Sequence, residues 1–410
     1  MSMNSTPRSN RIHIALFGKR NAGKSSLINA ITKQETAVVS PVKGTTTDPV
    51  YKSMELLPLG PVVFIDTAGL DDEGELGELR KRKTLEVVEK TDLALLVIDA
   101  EEGLSDFDLS LAAYLRQKKI PALGVLNKID LEAGTESLLK EMREKLELPV
   151  YAVSASSGKG VNELRKAMSE AVPDDEDKFK IVGDLVHTGD FVVLVTPIDK
   201  AAPKGRLILP QQQTIRDILE ADAIAVVTKE YELKETLERL GTKPALVITD
   251  SQAFLKVAAD TPKDVPLTSF SILFARHKGD LTELVRGARA LEKLQDGDKI
   301  LIAEACTHHQ QSDDIGRVKI PRWIRQNTGK ELHFEYASGY TFPGNITDYS
   351  LIVHCGSCML NRRSMLHRIA QAVDAGVPIV NYGVLIAYVQ GIFPRAIEMF
   401  PLAKLEWEEA

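Results

Sequence analysis

The feature that most constrains this chain is a glycine-rich segment between an apolar run and a helical stretch. The segment Gly18–Ser25 reads GKRNAGKS and fits the pattern G-x-x-x-x-G-K-[ST]. The apolar run Ile12–Phe17 precedes it, and we predict a helix at Ser26–Ile31. In this context the backbone N–H groups of the loop converge on phosphate oxygens. The motif therefore predicts a P-loop in which Lys24 reaches the β- and γ-phosphates and Ser25 ligates Mg²⁺.

Three further motifs, each after a predicted strand, indicate a guanine nucleotide. Asp66 begins the sequence DTAG, in which the carboxylate can hold Mg²⁺ through water and the N–H of Gly69 can meet a γ-phosphate. Asp130 ends the sequence NKID, and its carboxylate can accept from N1–H and the exocyclic amine of guanine, which adenine cannot match. The pair Ser154-Ala155 follows the next strand, where backbone groups can contact the guanine oxygen. The predicted nucleotide-binding residues are Gly18, Asn21, Ala22, Gly23, Lys24, Ser25, Ser26, Asp66, Asn127, Lys128, Asp130, Ser154 and Ala155.

Together these motifs, over about Arg11–Val172, resemble a GTP-binding G domain of the TrmE/Era type. The resemblance implies GTP or GDP with Mg²⁺, and it implies Thr46 in the first switch as the Mg²⁺-sensing threonine. We therefore predict Lys24, Thr46 and Gly69 as the catalytic residues. Asn21 occupies the loop position that binds K⁺ in some members of that branch, and it also suits a turn.

The residue after Gly69 is Leu70, which cannot orient the attacking water as glutamine does. Intrinsic hydrolysis should therefore be slow, and K⁺ could stimulate it. Glu73 and Glu75 lie in the expected second switch, but each also suits a solvated loop.

All three cysteines fall in the C-terminal third, with histidines beside them. The pattern is Cys306-x-His308, then His354-Cys355-x-x-Cys358. The cysteines follow two predicted strands, so the carboxyl edge of one parallel sheet could gather them. The spacing leaves three interpretations open. They are a 4Fe–4S cluster on three thiolates, a zinc site closed by a histidine, and a thioredoxin-like redox pair.

With the G domain and the middle α/β segment, this signature resembles the FeFe-hydrogenase maturation GTPase family, HydF, over nearly all of Arg11–Glu408. The resemblance implies a 4Fe–4S cluster on Cys306, Cys355 and Cys358, with His308 and His354 as ligands or as supporting residues. It also implies a carrier for a transient diiron precursor of the hydrogenase active site. The implied partners are two radical-SAM maturases, the apo-hydrogenase and a second copy of the chain.

Apolar runs alternate with helix-length amphipathic stretches along the chain, which is typical of parallel sheets covered by helices. We therefore predict an α/β protein, in which a P-loop GTPase domain precedes two further α/β domains with mainly parallel sheets. Charged and proline-containing breaks set the boundaries. The predicted divisions are a flexible tail at 1–10, the G domain at 11–172, a linker at 173–180, a dimerisation domain at 181–264 and an iron–sulfur domain at 265–410.

Composition limits the remaining classes of protein. The chain has 410 residues, 44% of them hydrophobic, and only three cysteines, which fits a reducing, cytoplasmic setting. The net charge of −7 argues against nucleic acid as a partner, because phosphate binding needs a basic surface. No transmembrane segment is predicted, since Ala375–Pro394 is interrupted by proline and glycine. Two alternatives remain, an RNA- or ribosome-linked assembly GTPase with a structural zinc site and a GTP-gated thiol oxidoreductase.

The basic trio Arg276-His277-Lys278 has two interpretations from sequence. It suits solvated charges, and it also suits a surface that meets an anionic cofactor or a partner.

Overall fold

The computed structural model describes residues 10–32, 49–57, 59–67, 83–131, 135–172, 180–197, 207–305, 314–339, 342–357 and 360–409. The chain divides into two compact units, Met1–Asp174 and Asp175–Ala410.

The first unit is built on a six-stranded sheet with the order β2-β3-β1-β4-β5-β6. All neighbouring strands are parallel except β2, which is antiparallel to β3. The strands are β1 Ile12–Phe17, β2 Val50–Leu56, β3 Gly60–Asp66, β4 Leu93–Asp99, β5 Ala122–Asn127 and β6 Val150–Ala152. The helices are Lys24–Thr32, a segment at 83–88, Asp106–Gln117, Thr135–Leu146 and Val161–Ala171.

Side chains that alternate along the central strands divide the core of this unit into two layers, one on each face of the sheet. In β1, Ile14 and Leu16 pack against the helices Lys24–Thr32 and Val161–Ala171, whereas Ala15 and Phe17 face the opposite core. Successive strand side chains point to opposite faces, so a strand buried on both sides reads as a continuous apolar run. Helices therefore cover both faces, and the carboxyl ends of the parallel strands form one edge.

The second unit contains two four-stranded, fully parallel sheets with the orders β10-β9-β7-β8 and β12-β11-β13-β14. The strands are β7 Phe191–Val195, β8 Ile224–Thr228, β9 Leu246–Thr249, β10 Leu267–Ser269, β11 Lys299–Glu304, β12 His333–Ser338, β13 Leu351–His354 and β14 Ile379–Asn381. The α-helices are Leu209–Glu220, Leu233–Leu240, Phe254–Asp260, Phe270–Lys278, Leu281–Ala288, Ile320–Thr328, Arg362–Asp374, Tyr382–Val389, Phe393–Ile397 and Pro401–Glu409. Shorter helical turns are the 3₁₀ segments Ser251–Ala253, Arg289–Lys293 and Ile346–Asp348 and the π-helix Ile315–Lys319.

One hydrophobic core runs through both sheets of this unit. Val193 of the second sheet and Ile302 of the third belong to the same buried cluster. β10 pairs with β9, so the second sheet extends past residue 264. The helix Phe270–Lys278 starts directly after β10, with the Ser269 side chain accepting from the N–H of Ile272. This helix therefore connects the second sheet to the third.

These sheets confirm the predicted fold class of a P-loop GTPase domain followed by α/β structure with mainly parallel sheets. Among the described residues, no helix is long and apolar enough to cross a membrane.

Candidate functional site

The P-loop turns tightly between β1 and the helix Lys24–Thr32, and two glycines make this turn possible. A Cβ on Gly18 would lie 2.1 Å from the Val97 carbonyl oxygen. A Cβ on Gly23, whose φ is +85°, would lie 2.3 Å from Asn127 Nδ2. Asn21 also has a positive φ of 64°, which asparagine tolerates better than most residues. The loop backbone is thus curled as a phosphate-binding loop requires.

Lys24, Ser25 and Asp66 meet at the mouth of this loop. The buried Lys24 ammonium donates to the carbonyls of Gly18 at 2.8 Å and Lys19 at 2.6 Å, so it lies within the curve of the loop. Ser25 Oγ donates to Asp66 Oδ2 at 2.5 Å. A hydroxyl and a carboxylate at this separation are hard oxygen ligands of the kind Mg²⁺ prefers. The structure therefore brings together the predicted Mg²⁺-binding residues of two motifs.

Asn127 connects three of the predicted motifs through one buried side chain. Its Nδ2 donates to the Ala22 carbonyl at 2.9 Å, and its Oδ1 accepts from the N–H of Ala155 at 3.1 Å. The P-loop, the end of β5 and the loop after β6 therefore form one hydrogen-bonded unit. Sequence predicted Asn127 as a nucleotide-binding residue but did not predict its hydrogen bond to Ala22, which lies 105 residues earlier in the chain.

The Asp130 carboxylate is exposed at this edge and is held by serine hydroxyls. Ser156 Oγ donates to Asp130 Oδ2 at 2.9 Å. Hydrogen bonds from Ser154 and Ser156 hold the pKa of Asp130 below its ordinary value, because they stabilise the ionised form. An ionised carboxylate can accept the two N–H donors of guanine. Ser156 was not predicted, and nothing in a single sequence distinguishes it from an ordinary loop serine.

Lys128 is held by Asp99, a second residue that the motifs did not predict. Lys128 Nζ donates to Asp99 Oδ2 at 2.5 Å, and Asp99 is buried at the end of β4. This hydrogen bond raises the pKa of Lys128 above its ordinary value. The backbone of Lys128 has a φ of 66°, so the ion pair fixes a left-handed residue in place.

Two predicted catalytic residues, Thr46 and Gly69, lie outside the described residues, as do Leu70, Glu73 and Glu75. Ser26 is exposed within the first turn of the helix Lys24–Thr32.

A second cluster of predicted site residues lies at the carboxyl edge of the third sheet. β11 and β13 are neighbours, and the Cys355 N–H donates to the Ala303 carbonyl at 2.9 Å. The N–H of Ala305 donates to Cys355 Sγ at 3.2 Å. Cys306, His308 and Cys358 lie outside the described residues, but Ala305 is bonded to Cys306 and Ser357 is bonded to Cys358. The described neighbours of all three cysteines therefore meet at one edge.

His354 is completely buried, and its two ring nitrogens contact different partners. Nε2 lies 2.6 Å from Arg368 Nη1, and Nδ1 lies 2.9 Å from the Cys355 carbonyl oxygen. A guanidinium only donates, so Nε2 accepts and Nδ1 carries the proton. Burial, together with the Arg368 charge, lowers the pKa of His354 to about 3. The lone pair that could ligate a metal is engaged by Arg368.

Arg368 supports this end of β13 and was not predicted. Its guanidinium also donates to the Gly339 carbonyl at 2.5 Å and stacks 5.0 Å from the Phe342 ring centroid. Phe342 in turn makes an edge contact with His354.

The chemistry of the edge favours a thiolate at Cys355, which an iron–sulfur group needs and which the zinc and redox interpretations need as well. A backbone N–H donor at a sulfur favours the thiolate, because the hydrogen bond stabilises the charged form. The helix Arg362–Asp374 also begins here, and its N-terminal dipole favours nearby negative charge. Within the described ranges, which omit Cys306 and Cys358, no group of three His, Cys, Asp or Glu side chains could hold a metal ion.

Comparison with protein families divides the chain into three matches. Residues 13–128 match a family described as 50S ribosome-binding GTPase. Residues 181–279 match the hydrogen maturase F dimerization domain, and residues 282–399 match the hydrogen maturase F tetramerization domain.

Curated relatives resemble only part of the chain. GTPase Der of a Nitratiruptor species is 37% identical over 164 residues, which is 38% of this chain and 35% of the relative. GTPase Der of Mycoplasmopsis pulmonis is 36% identical over 167 residues, which is 38% of each chain. The chain thus spans little more than a third of the length of these relatives.

Two solved structures are also similar. Era of Aquifex aeolicus bound to GDP·AlF4⁻ is 21% identical with a TM-score of 0.36, covering 56% of this chain and 97% of that one. The FeoB G-domain of Methanococcus jannaschii is 26% identical with a TM-score of 0.29, covering 40% and 99%.

The matches assign a GTPase activity to the N-terminal domain. The two maturase domains together cover more than half of the chain, and their names indicate an oligomer. The chain belongs to the hydrogen maturase F family, whose members are hydrogenase maturation GTPases.

Proposed function

We propose that this chain is a GTP-hydrolysing scaffold that carries the diiron subcluster of FeFe-hydrogenase and delivers it to the apo-hydrogenase. The observation that carries the proposal is the meeting of the cysteine-flanking residues at one sheet edge in a member of this family. The N–H of Ala305, one residue before Cys306, lies 3.2 Å from Cys355 Sγ. Ser357, one residue before Cys358, also lies at this edge, where its hydroxyl contacts the Cys355 carbonyl.

In this proposal Cys306, Cys355 and Cys358 hold a 4Fe–4S cluster, and the structural neighbours keep them in place. Such a cluster, when bound on three thiolates, supplies an iron with an open position to which a diiron cargo can attach. The N–H of Ala305 stabilises the Cys355 thiolate. We assign His354 a supporting role, because Arg368 occupies its lone pair. His308 keeps its predicted role as a ligand or supporting residue.

The nucleotide residues take the following roles in the proposal. Lys24 neutralises the phosphate charge, and the loop amides from Gly18 to Ser26 bind the phosphate oxygens. Ser25 and Thr46 ligate Mg²⁺, with Asp66 acting through water. Asp130 selects guanine.

Asn127, Lys128, Ser154 and Ala155 shape the base pocket through the contacts described above. The Gly69 amide meets the γ-phosphate. Because Leu70 follows Gly69, hydrolysis is slow, and K⁺ bound at Asn21 stimulates it. In this proposal hydrolysis switches partner binding and release.

A homodimer forms through the middle region of the chain. The strand β8 lies at the end of its sheet, where Ile224 is 42% and Val227 is 46% exposed. An apolar strand at a sheet edge offers backbone and side-chain groups for pairing with a second copy. The division at 1–10, 11–172, 173–180, 181–264 and 265–410 belongs to this proposal, as do a cytoplasmic location and two radical-SAM maturases as partners.

The test is anaerobic reconstitution of the full chain with iron and sulfide, for wild type and Cys306→Ser. We expect about four irons per chain and a cubane EPR signal in the reduced wild-type protein, both lost in the variant. Asn162→Ala, an exposed change on the helix Val161–Ala171, is the matched control and should load normally. Stoichiometric zinc without an iron chromophore would refute the scaffold and favour the ribosome-linked alternative.

A further inference from the structure

Lys278 is a buried cation that neither the nucleotide chemistry nor the cysteine ligands use. It ends the helix Phe270–Lys278 and is only 1% exposed. Lysine is rarely buried to this degree without a specific partner, because its charge loses hydration. Lys278 Nζ donates to the Leu360 carbonyl at 2.9 Å and to the Ser357 carbonyl at 3.2 Å.

These two carbonyls lie on either side of Cys358. Ser357 precedes that cysteine by one residue, and Leu360 follows it by two. Ser357 also has a φ of 55°, a left-handed conformation that is costly for serine without supporting contacts. One ammonium therefore holds both ends of the short segment that carries a predicted iron ligand.

The contact is reciprocal. Arg362, in the first turn of the helix after the cysteine loop, donates from Nη1 to the His277 carbonyl at 2.5 Å. Thus the end of the helix Phe270–Lys278 and the start of the helix Arg362–Asp374 each donate hydrogen bonds from a cationic side chain to backbone carbonyls of the other segment. These two charges also act on the buried ring of His277. Burial, Lys278 and Arg362 lower the pKa of His277 to about 4.

Arg276, the remaining member of the basic trio, also has a hydrogen-bond partner within the same unit. Arg276 Nη1 donates to Asp184 Oδ1 at 3.0 Å. The trio predicted as solvated charges or as a surface for an anion therefore makes internal contacts at all three positions.

Lys278 joins two regions that the family comparison separates. It lies within 181–279, the dimerization match, whereas Ser357 and Leu360 lie within 282–399, the tetramerization match. Both belong to the same compact unit. The helix Phe270–Lys278 thus reaches the segment after β13 that carries Cys355 and Cys358.

We propose that Lys278 is a positioning residue for the cysteine site, holding the carbonyls of Ser357 and Leu360 on either side of Cys358 and placing a positive charge beside the bound cluster. The second half rests on the proposed function, whereas the first half concerns the chain alone. A fixed cation near a cluster stabilises the reduced, more negative form and so raises its reduction potential.

The test compares Lys278→Met and Lys278→Arg in the full chain. Lys256→Met is the matched control, since Lys256 pairs with Asp260 on another helix of the same unit. Hydrogen exchange of peptides covering 355–361 is measured in the metal-free protein. Iron content and the midpoint potential, followed by EPR, are measured after reconstitution.

For Lys278→Met we expect amide exchange in this segment to become about tenfold faster, because the opened loop loses its anchor. We also expect a more negative midpoint potential. Lys278→Arg should restore the potential, and Lys256→Met should change neither quantity. Wild-type exchange and wild-type potential in Lys278→Met would overturn the proposal.

Circular dichroism first establishes that each variant is folded. If Lys278→Met does not fold, Lys278→Gln keeps a hydrogen-bond donor without the charge, and an unchanged potential in that variant would refute the electrostatic role. If the wild-type chain binds no cluster, the proposed function fails, and the exchange experiment on the metal-free protein still decides whether Lys278 holds the loop.

Discussion

The nucleotide site and the cysteine site both lie at the carboxyl ends of parallel strands, but they are held together in different ways. At the nucleotide site the motif residues contact one another, since Asn127 binds Ala22 and Ala155 directly. At the cysteine site the described support comes from residues outside the motif, chiefly Arg368 and Lys278. A sequence motif therefore contains most of the framework of the first site and only the predicted ligands of the second.

This difference has a physical origin. Phosphate is bound largely by backbone amides, so the loop that forms the site must also carry the residues that shape it. A cluster is bound by side chains from distant segments, and any buried donor near those segments can orient them. The two sites should accordingly respond differently to substitutions inside and outside their motifs.

The largest expected effect is that of Lys24→Ala. Loss of the ammonium should lower the GTPase rate by about 10²–10³-fold, because it removes the charge that stabilises the phosphoryl group in the transition state. Iron content after reconstitution should not change, since the cysteines belong to the other compact unit. Steady-state phosphate release and iron analysis check the two parts. A parallel loss of iron would show that the sites are not independently assembled.

The next effect is that of His354→Ala on the stability of the second unit. Removing the ring leaves the Arg368 guanidinium buried without this partner and opens a cavity beside Phe342. We expect a loss of about 3 kcal/mol in the free energy of unfolding. Denaturant unfolding measures this loss, with His333→Ala, an exposed residue of β12, as the control.

The same variant separates a supporting role from a ligand role for His354. If His354 only supports the strand end, the folded His354→Ala protein should still bind about four irons per chain at low temperature. A stable protein that has lost one quarter or more of its iron would instead indicate direct ligation.

Sequence predicted the strands of both sites where apolar runs were continuous. Continuous apolar runs predict strands at Ile12–Phe17, Leu93–Asp99, Ala122–Asn127, Phe191–Val195 and Leu351–His354. The strands β1, β4, β5, β7 and β13 have these bounds, because strands buried in a parallel sheet need apolar residues on both faces. The strand β2 was missed because its residues VYKSMEL are exposed or half-buried except Leu56 and mix charged with apolar positions. The strand β10 was missed because three residues after a proline-containing loop carry too little periodicity to detect.

The candidate sites show the same limit. The P-loop and the NKID sequence could be recognised because their chemistry requires residues at fixed local spacing. The role of Asp99 could not be recognised, since it looks locally like an ordinary charged residue. Lys278 stood out only as part of a basic trio, and its contact with a segment 82 residues further along the chain could not be predicted. Only the fold brings such residues to their loops.

Asp130→Asn should change which base the first site binds. The carboxylate can accept two N–H donors of guanine, whereas an amide offers one acceptor and one donor. GTP affinity should fall about 100-fold, and affinity for xanthosine triphosphate should rise. Titration with fluorescent analogues of both nucleotides measures the change in the ratio of the two affinities. Equal losses for both nucleotides would mean that Asp130 does not contact the base.

The pH dependence of the same site follows from the lowered pKa of Asp130. Because its pKa is lowered, the Asp130 carboxylate stays ionised even when the pH falls to the ordinary pKa of aspartate. Wild-type GTP affinity should therefore not decline through this group between pH 8 and about 4, where an aspartate with its ordinary pKa would already be partly protonated. A decline in that interval that is absent from Asp130→Asn would contradict the assignment.

The smallest effect expected from a substitution is that of Lys128→Met, which tests a motif residue held by a partner outside the motif. Lys128 is 29% exposed in its side chain, so water screens part of its interaction with Asp99. GTP affinity should fall by about 3- to 10-fold, because the left-handed residue loses its anchor but Asn127 still ties the loops together.

In an Asp99→Asn background the same substitution should cost less, with a coupling energy of about 1 kcal/mol. Since Asp99 raises the pKa of Lys128, the coupling is fully present below the ordinary lysine pKa and is lost only as the pH rises through the raised value. Additive effects in the double variant would mean that Asp99 does not position Lys128, and the first site would then depend on its motif residues alone.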